Sequence, residues 1–325
     1  MKAIVVRQWC EPRDLVMEEV DRPVPTAGQV GIRIQSAALN FPDVLMAAGK
    51  YQVKPPLPFT PGFEVAGTID SLGAGVTGFT PGQRVLAQLS LGGFAEFAVA
   101  PAPATQAIPA GMSDDQAAAF PLVYQTSYVG LVVRGALKQG ETVLVHSAAG
   151  GVGLAAVQIA RALGAGRIIG TAGSDHKLEL IRQQGADIAI NYQTEDFVEV
   201  VKRETDGRGA DVIYDPVGGE IGQRSTKCIA FEGRLLIVGF TGGAFSNFVS
   251  NHILLKNYSV VGVHWGSYQK HRPATIAQAW KALWEMYRAG QLRPVVGRRY
   301  PMPQVADAME LLTSRAAVGK IVLHW

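Results

Sequence analysis

Apolar residues in the first third of the chain come in short, partly alternating segments: MKAIVV, QVGIRIQSAAL, VAGTIDSLG, QRVLAQL and GFAEFAVA. Glycine and proline punctuate them at Pro23, Pro25, Gly28, Pro55, Pro56, Pro58, Pro61, Gly62, Gly78, Pro81 and Gly82. Alternation bounded by turn formers marks half-buried strands, and many short ones predict a β-barrel-like domain over 1–123. From about Asp114 the pattern turns helical, and strands and helices then alternate. VLVHS, RIIGTAG, IAINY, ADVIYDPVG, RLLIVGF and SVVGVHW read as strands, with LAAVQIARALG, HKLELIRQQG and FVEVVKRETD as helices between the earlier ones. Continuous apolar strands separated by amphipathic helices predict a parallel, doubly wound α/β sheet over 124–267. The remainder, 268–325, starts with a helix bearing Trp280, Leu283, Trp284 and Tyr287 at helical spacing, read as core or interdomain packing. A strand (VVGRRYPM), a helix (VADAMELLTSR) and a last strand (GKIVLHW) follow, assigned here to the first domain.

The stretch VLVHSAAGGVGLAAVQIARALGA, Val143 to Ala165, carries the strongest functional signal. A strand runs into a glycine-rich turn and a helix follows at once. Ala148-x-Gly150-x-x-Gly153 is a G-x-G-x-x-G with alanine in the first place. Gly150 and Gly151 let the backbone come close to an anion, with Ala149 and Val152 beside them in the turn, and Gly153 lets the helix pack tightly on the strand. This layout predicts a Rossmann dinucleotide site.

The second strand tests which dinucleotide. NAD-binding folds place an acid about twenty residues past the glycines, on the ribose 2′-hydroxyl. Here the strand ends in uncharged Thr171 and Ala172, followed by Gly173, Ser174 and Lys177. A hydroxyl and an ammonium suit a 2′-phosphate, which points to NADPH. Asp175 has the spacing of a ribose acid, but is read as the cap of the next helix. Tyr192, at the end of IAINY, is a candidate cover for the adenine.

Charge and composition narrow the rest. Of 325 residues, 48% are hydrophobic and 18% charged, which fits a folded two-domain chain. A net charge of +3 without a basic run gives no footprint for nucleic acid, so none is expected as a partner. The chain has no signal-peptide core and no stretch of about eighteen apolar residues, so no membrane span is expected. Cys10 and Cys228 are far apart, as in a reducing compartment, and a cytoplasmic location is expected. His146, His176, His252, His264, His271 and His324 are scattered, so no metal site is expected. No G-x-S-x-G is present, which leaves hydrolysis unsupported.

AAGGVG followed by Gln158, the barrel-like start, and NFPDVLMAAGKYQVKPPLPFTPGFEVAG resemble the zinc-independent quinone oxidoreductases, a branch of the medium-chain dehydrogenase/reductase superfamily that includes the zeta-crystallin type. The resemblance covers essentially the whole chain. It implies a Rossmann domain inserted in a GroES-like β-barrel catalytic domain. Where zinc-dependent relatives carry a cysteine, a Gly-His-Glu and a second cysteine, this chain has Asn40, Gly62-Phe63-Glu64 and a position near Leu122. Without metal, the resemblance leaves Glu64 a structural role.

The resemblance also implies cofactor contacts: Asn40, Phe41 and Asp43 toward the nicotinamide ribose or carboxamide, Thr126 and Tyr128 after the domain crossing, and Val217, Phe240, Thr241, His264, Trp265 and Gly266 near strand ends. Arg315 matches a cofactor-contacting arginine of some members. The implied reaction is hydride transfer from NADPH to a quinone or another conjugated carbonyl. A quinone needs little acid help, whereas an enone, alkenal or enoyl thioester needs its enolate stabilised and its α-carbon protonated. Tyr51 is similar in position to the acid of related enoyl thioester reductases, and reads equally as a gate over the nicotinamide. The alternatives are an enoyl-CoA or enone reductase and, outside catalysis, a crystallin-like or RNA-binding protein that keeps a nucleotide site. A homodimer is implied, with SVVGVHW as the pairing edge.

Overall fold

The strand Gln29–Leu39 organises the first half of the fold. Its early residues pair antiparallel with Phe97–Pro101 and its last four with Lys320–His324. Along its other edge lies Glu64–Leu72, and the sheet continues through Arg84–Gln88 to Thr105–Ala107. Val296–Pro301 joins Lys320–His324 in parallel. Val30, Ile32 and Ile34 point inward, and Arg33 and Gln35 outward, as period-two alternation requires. The inward row packs on Val65, Ile69, Val85, Ile321 and Leu323. Each such aliphatic side chain contributes about 1.5–3 kcal/mol by leaving water.

The computed structural model describes residues 1–325 and divides them into two units. One is Met1–Leu122 with Pro294–Trp325, and the other is Val123–Arg293. The second boundary therefore lies at 293/294, not at 267/268 as the segment pattern predicts. Gln158 supplies a physical reason. Its Nε2 donates to Arg293 O at 3.0 Å, and Arg293 N donates to its Oε1 at 2.9 Å, which binds the chain after helix Pro273–Arg288 to helix Gly151–Ala162. In that later helix Trp280 and Trp284 stack with centroids 5.3 Å apart and are buried, as their helical spacing predicts.

The second unit is built on one parallel sheet of six strands. From edge to edge they are Ile188–Asn191, Arg167–Ala172, Thr142–Val145, Ala210–Asp215, Ile229–Ile237 and Ser259–Gly262. In chain order this is 3-2-1-4-5-6, a doubly wound sheet with its switch point beside Thr142–Val145. Val143, Leu144, Val145, Ile168, Ile169, Ile213, Leu235 and Leu236 are fully buried, because helices cover both faces.

Four segments depart from the pattern. The helical stretch from Asp114 breaks into Asp114–Ala118 and Pro121–Tyr128, then widens over Val129–Arg134, where Gly135 N bonds Gly130 O five residues back. SVVGVHW is a strand only over Ser259–Gly262. Val16–Glu19 and Thr105–Ala107 are short strands that no run of alternating residues announces.

Candidate dinucleotide site and buried charge cluster

The glycine turn leaves the sheet at the switch point, between two strands whose connections diverge. Ser147 turns the chain with φ 51°, and Gly150 stands as the N-cap of helix Gly151–Ala162 with no side-chain cap. The first helical bond runs from Leu154 N to Gly150 O, so the N–H groups of Gly151, Val152 and Gly153 precede it. A Cβ on Gly153 would lie 2.2 Å from Ser147 O and 2.7 Å from Ala148 Cα. Only glycine lets this helix begin so close to the turn. The helix start thus offers unpaired donors and a positive dipole end to an anion.

The loop after Arg167–Ala172 is equally tight. A Cβ on Gly173 would meet Tyr192 Oη at 2.6 Å, so the Tyr192 hydroxyl closes over Gly173 while the residue remains 37% exposed. Ser174 caps the short turn Asp175–Lys177 by position, without a side-chain hydrogen bond. Asp175 is therefore not the cap. Its carboxylate instead accepts Asn191 Nδ2 at 2.7 Å, which draws it toward the neighbouring strand end. Lys177 is buried, and burial lowers its ammonium pKa. Gly173 and Tyr192 are in contact, and Lys177 ends the turn that follows, its backbone N donating to Ser174 O at 3.2 Å.

Residues 217–241 gather at the next strand ends. Asp215 Oδ1 accepts from Val217 N (2.8 Å) and Gly218 N (3.0 Å). Thr241 donates from both N and Oγ1 to Pro216 O at 3.0 Å. Phe240 fills the space beside Gly218, where a Cβ would come within 2.7 Å of its ring, and it meets Phe245 edge-on at 4.7 Å. Val217, Phe240 and Thr241 are thus brought together.

Helix Pro121–Tyr128 is tied to the glycine turn by Ser127, whose Oγ donates to Val152 O at 3.0 Å and accepts from Tyr214 Oη at 3.0 Å. Thr126 and Tyr128 flank this anchor and are half-buried. Trp265 Nε1 reaches Gln125 Oε1 at 3.4 Å, and His264 Nδ1 contacts Ser267 Oγ at 2.6 Å as helix Gly266–His271 begins.

Under this surface lies a polar network that sequence reasoning missed. Buried His146 contacts Thr171 Oγ1 (3.1 Å) and Ser225 Oγ (2.8 Å). Ser225 Oγ donates to Ile221 O, so it accepts from His146 Nε2–H, and Thr171 donates to Nδ1. Burial drives the imidazole pKa down to about 4, which keeps this neutral tautomer. The network joins the ends of strands Thr142–Val145 and Arg167–Ala172, the two that carry the turn and the Ser174 loop. Asp215 Oδ2, buried nearby in sequence to Val217, has no hydrogen-bond partner. No pattern in the chain announces these pairings, which span up to 79 residues.

The first unit holds a separate buried charge cluster. Asn40 is the N-cap residue of helix Phe41–Ala47 without a side-chain cap bond of its own, and the Asp43 carboxylate closes the first turn. Asp43 Oδ2 accepts Asn40 N (2.8 Å) and Oδ1 accepts Gly62 N (3.0 Å). Burial pushes its carboxyl up to about 7, against the pull of those two N–H groups and Lys320. Asn40 Nδ2 donates to Glu64 Oε1 (2.9 Å) and Ala38 O (3.2 Å), while its Oδ1 accepts Lys320 Nζ (2.5 Å). Asn40 N is taken by Asp43 Oδ2 and its carbonyl by Asp43 N. Every polar atom of Asn40 thus has an internal partner. These bonds fix the orientation of the Asn40 side chain, and Phe41 is half-buried on the helix that follows it. Glu64 holds Leu122 N through Oε2 at 2.8 Å.

Tyr51 is half-buried with Phe63 and Leu91 against Val6, Met46, Ala47 and Phe59. Burial, then the Asp43 charge, raises its pKa, so the phenol is neutral near pH 7. Arg315 is exposed in the first unit with φ 59°. No three His, Cys, Asp or Glu side chains are grouped to hold a metal ion.

Residues 26–112 match the family described as alcohol dehydrogenase GroES-like domain, and residues 151–285 that described as zinc-binding dehydrogenase. The "Quinone oxidoreductase-like protein 2 homolog" of Nematostella vectensis is 38% identical over 298 residues, 91% of this chain and 81% of that protein. The chain belongs to the quinone oxidoreductase branch of the medium-chain dehydrogenase/reductases. The quinone oxidoreductase of Lama guanicoe is 36% identical over 326 residues, covering 99% and 97% of the two chains. The Escherichia coli quinone oxidoreductase, solved in complex with NADPH, superposes with TM-score 0.91 at 31% identity over 100% of both chains. The chain is thus an oxidoreductase of this superfamily, with the GroES-like and Rossmann architecture of the branch.

Proposed function

We propose that this quinone oxidoreductase relative is a zinc-free, NADPH-dependent reductase of quinones or other conjugated carbonyls. The observation that carries this reading is the pair of glycine contacts at adjacent strand ends. Gly153 opens a helix start to a pyrophosphate, and Gly173, with Ser174, Lys177 and Tyr192, frames a site for a 2′-phosphate. The NADPH complex of the Escherichia coli relative supports the same cofactor. When bound, NADPH supplies the hydride. The chain's part is to hold it. The N–H groups of Gly151 to Gly153 would hold the pyrophosphate, and Ser174 Oγ and Lys177 Nζ would be the donors to the ribose phosphate. Val217, Phe240, Thr241, Thr126, Tyr128, His264, Trp265, Gly266 and Arg315 remain assigned as cofactor contacts, as do Asn40, Phe41 and Asp43 of the first unit.

Turnover of NADPH with a panel of quinones, alkenals and enoyl thioesters, followed at the reduced-nicotinamide band and repeated with NADH, tests the reading. Oxidation with quinones, faster for NADPH than for NADH, supports it. Absence of oxidation with every acceptor overturns it. A second reading, reduction of enones or enoyl thioesters, is favoured by the neutral phenol of Tyr51, which could protonate an α-carbon.

The expected partners are a small conjugated carbonyl and a second copy of the chain in the cytoplasm. Ser259–Gly262 is an edge strand, and Leu254 and Leu255 on the preceding helix are each 74% exposed. Such an edge favours a homodimer by strand pairing.

A further inference from the structure

Lys320 is 5% exposed and begins the strand Lys320–His324. An ammonium has three donors and no acceptor. Here all three have oxygen partners: Leu39 O at 2.9 Å, Asn40 Oδ1 at 2.5 Å and Glu64 Oε1 at 2.8 Å. The three acceptors come from two segments remote in sequence from Lys320, one 256 and the other 280 residues away. Glu64 is wholly buried, and Lys320 is the one cation bonded to it. A buried carboxylate without a counter-charge costs several kcal/mol, and an ammonium completes the pocket only if its own donors are matched. Both conditions are met here.

The consequences run outward along hydrogen bonds. Lys320 fixes the carbonyl end of the Asn40 amide, which leaves the Nδ2 end to Glu64 and Ala38. Asn40 in turn is the N-cap residue of the helix that bears Phe41 and Asp43, its backbone N–H held by Asp43 Oδ2. The second Glu64 oxygen receives Leu122 N at the start of helix Pro121–Tyr128, where a negative charge suits the dipole. One ammonium thus fixes two helix starts.

We propose that Lys320 is a positioning residue of the reductase site, a built-in cation that sets the cap of helix Phe41–Ala47 and the start of helix Pro121–Tyr128 through Asn40 and Glu64. This rests on the reductase reading for its effect on turnover. Its cation role can be measured without that reading.

The decisive variant is Lys320→Ala, which removes three methylenes and the ammonium and leaves a space the shape of n-propylammonium. The purified variant is measured with and without n-propylammonium, with n-propanol as the uncharged control. Without additive, the unfolding midpoint falls, and kcat with a quinone falls about tenfold or more while KM for NADPH changes little, because misplaced groups act at the chemistry rather than at the phosphates. n-Propylammonium restores both midpoint and kcat in a saturable way, leaves the wild type unchanged, and n-propanol does neither. A midpoint and kcat equal to wild type, or equal recovery with n-propanol, overturns the proposal. Recovery of the midpoint without recovery of kcat overturns the positioning role.

If the alanine variant does not fold, Lys320→Arg is compared with Lys320→Met. A folded, active arginine variant beside a methionine variant with lowered midpoint and kcat supports the proposal, and equal behaviour overturns it. Wild-type protein that fails to oxidise NADPH with every quinone, alkenal and enoyl thioester removes the reductase reading instead. The midpoint arm then still decides whether Lys320 acts as the cation of this pocket.

Discussion

Gly153 approaches Ser147 so closely that a Cβ would stand 2.2 Å from the Ser147 carbonyl oxygen. Both obstacles to that Cβ, Ser147 O and Ala148 Cα, are backbone, so no side chain can swing aside. Gly153→Ala must move the turn away from the helix. It is expected to cost about 1–3 kcal/mol of stability. It is also expected to raise the NADPH dissociation constant by about tenfold, the equivalent of 1.4 kcal/mol. Thermal unfolding and a fluorescence titration with NADPH measure the two effects. A variant that binds NADPH as the wild type does would remove the turn from the cofactor site.

Lys177 is the charged member of the group around Gly173. Lys177→Ala is expected to raise KM for NADPH by about tenfold to a hundredfold, the range for a hydrogen bond to a charged group. KM for NADH should stay within about twofold. The measurement is the ratio of kcat/KM for the two cofactors, and an unchanged ratio would move the 2′-phosphate elsewhere.

His146 links folding to pH. Its pKa is about 4 in the folded chain against an ordinary 6.5. Between those values the unfolded chain holds a proton that the folded one does not, so stability rises with pH through the window and is lost as pH falls from 6.5 toward 4. The whole effect is about 3 kcal/mol. Asp43 acts in the opposite sense, since a carboxyl raised from 3.8 to about 7 favours the folded state at low pH and loses that contribution as pH rises. Urea unfolding of the wild type and of His146→Gln isolates the histidine, because Asp43 is common to both. The stability difference between them should shrink from pH 7 to pH 4.

Tyr51→Phe removes a hydroxyl and keeps the ring. Turnover with quinones should hold, and turnover with enones or enoyl thioesters should fall by about a hundredfold if the phenol gives the proton. Equal, unchanged rates with both classes leave Tyr51 as a packing residue beside Phe63 and Leu91.

The edge strand Ser259–Gly262 is expected to pair with its copy, giving a mass near twice 34.6 kDa on a sizing column. Val260→Lys or Val261→Lys should shift the protein toward the monomer. A wild type that elutes as a monomer counts against the dimer.

Much of the frame is legible in the chain. Period-two alternation marks Gln29–Leu39 to the residue, and the continuous apolar runs at Val143, Ile168 and Ile213 mark strands buried on both faces. The glycine turn is legible because its chemistry is local: strand, turn and helix are contiguous. What escapes is carried by long-range pairs. The clasp of Gln158 on Arg293, which moves the second boundary to 293/294, joins residues 135 apart. The tautomer of His146 depends on Ser225, and the fate of the Asn40 amide on Lys320. A side chain that satisfies a buried partner from another segment leaves no period in the sequence.

The first unit is discontinuous, and this orders its assembly in time. A ribosome releases 1–122 first, then all of Val123–Arg293, and only then the segment that carries Val296–Pro301 and Lys320–His324. During synthesis, Gln29–Leu39 therefore stands with one edge partly unpaired, and Glu64 without its ammonium, while the contiguous second unit can already close around its sheet. The nascent barrel has an open flank for the whole time it takes to make 171 residues, Val123–Arg293, a span in which a holding chaperone would have its substrate.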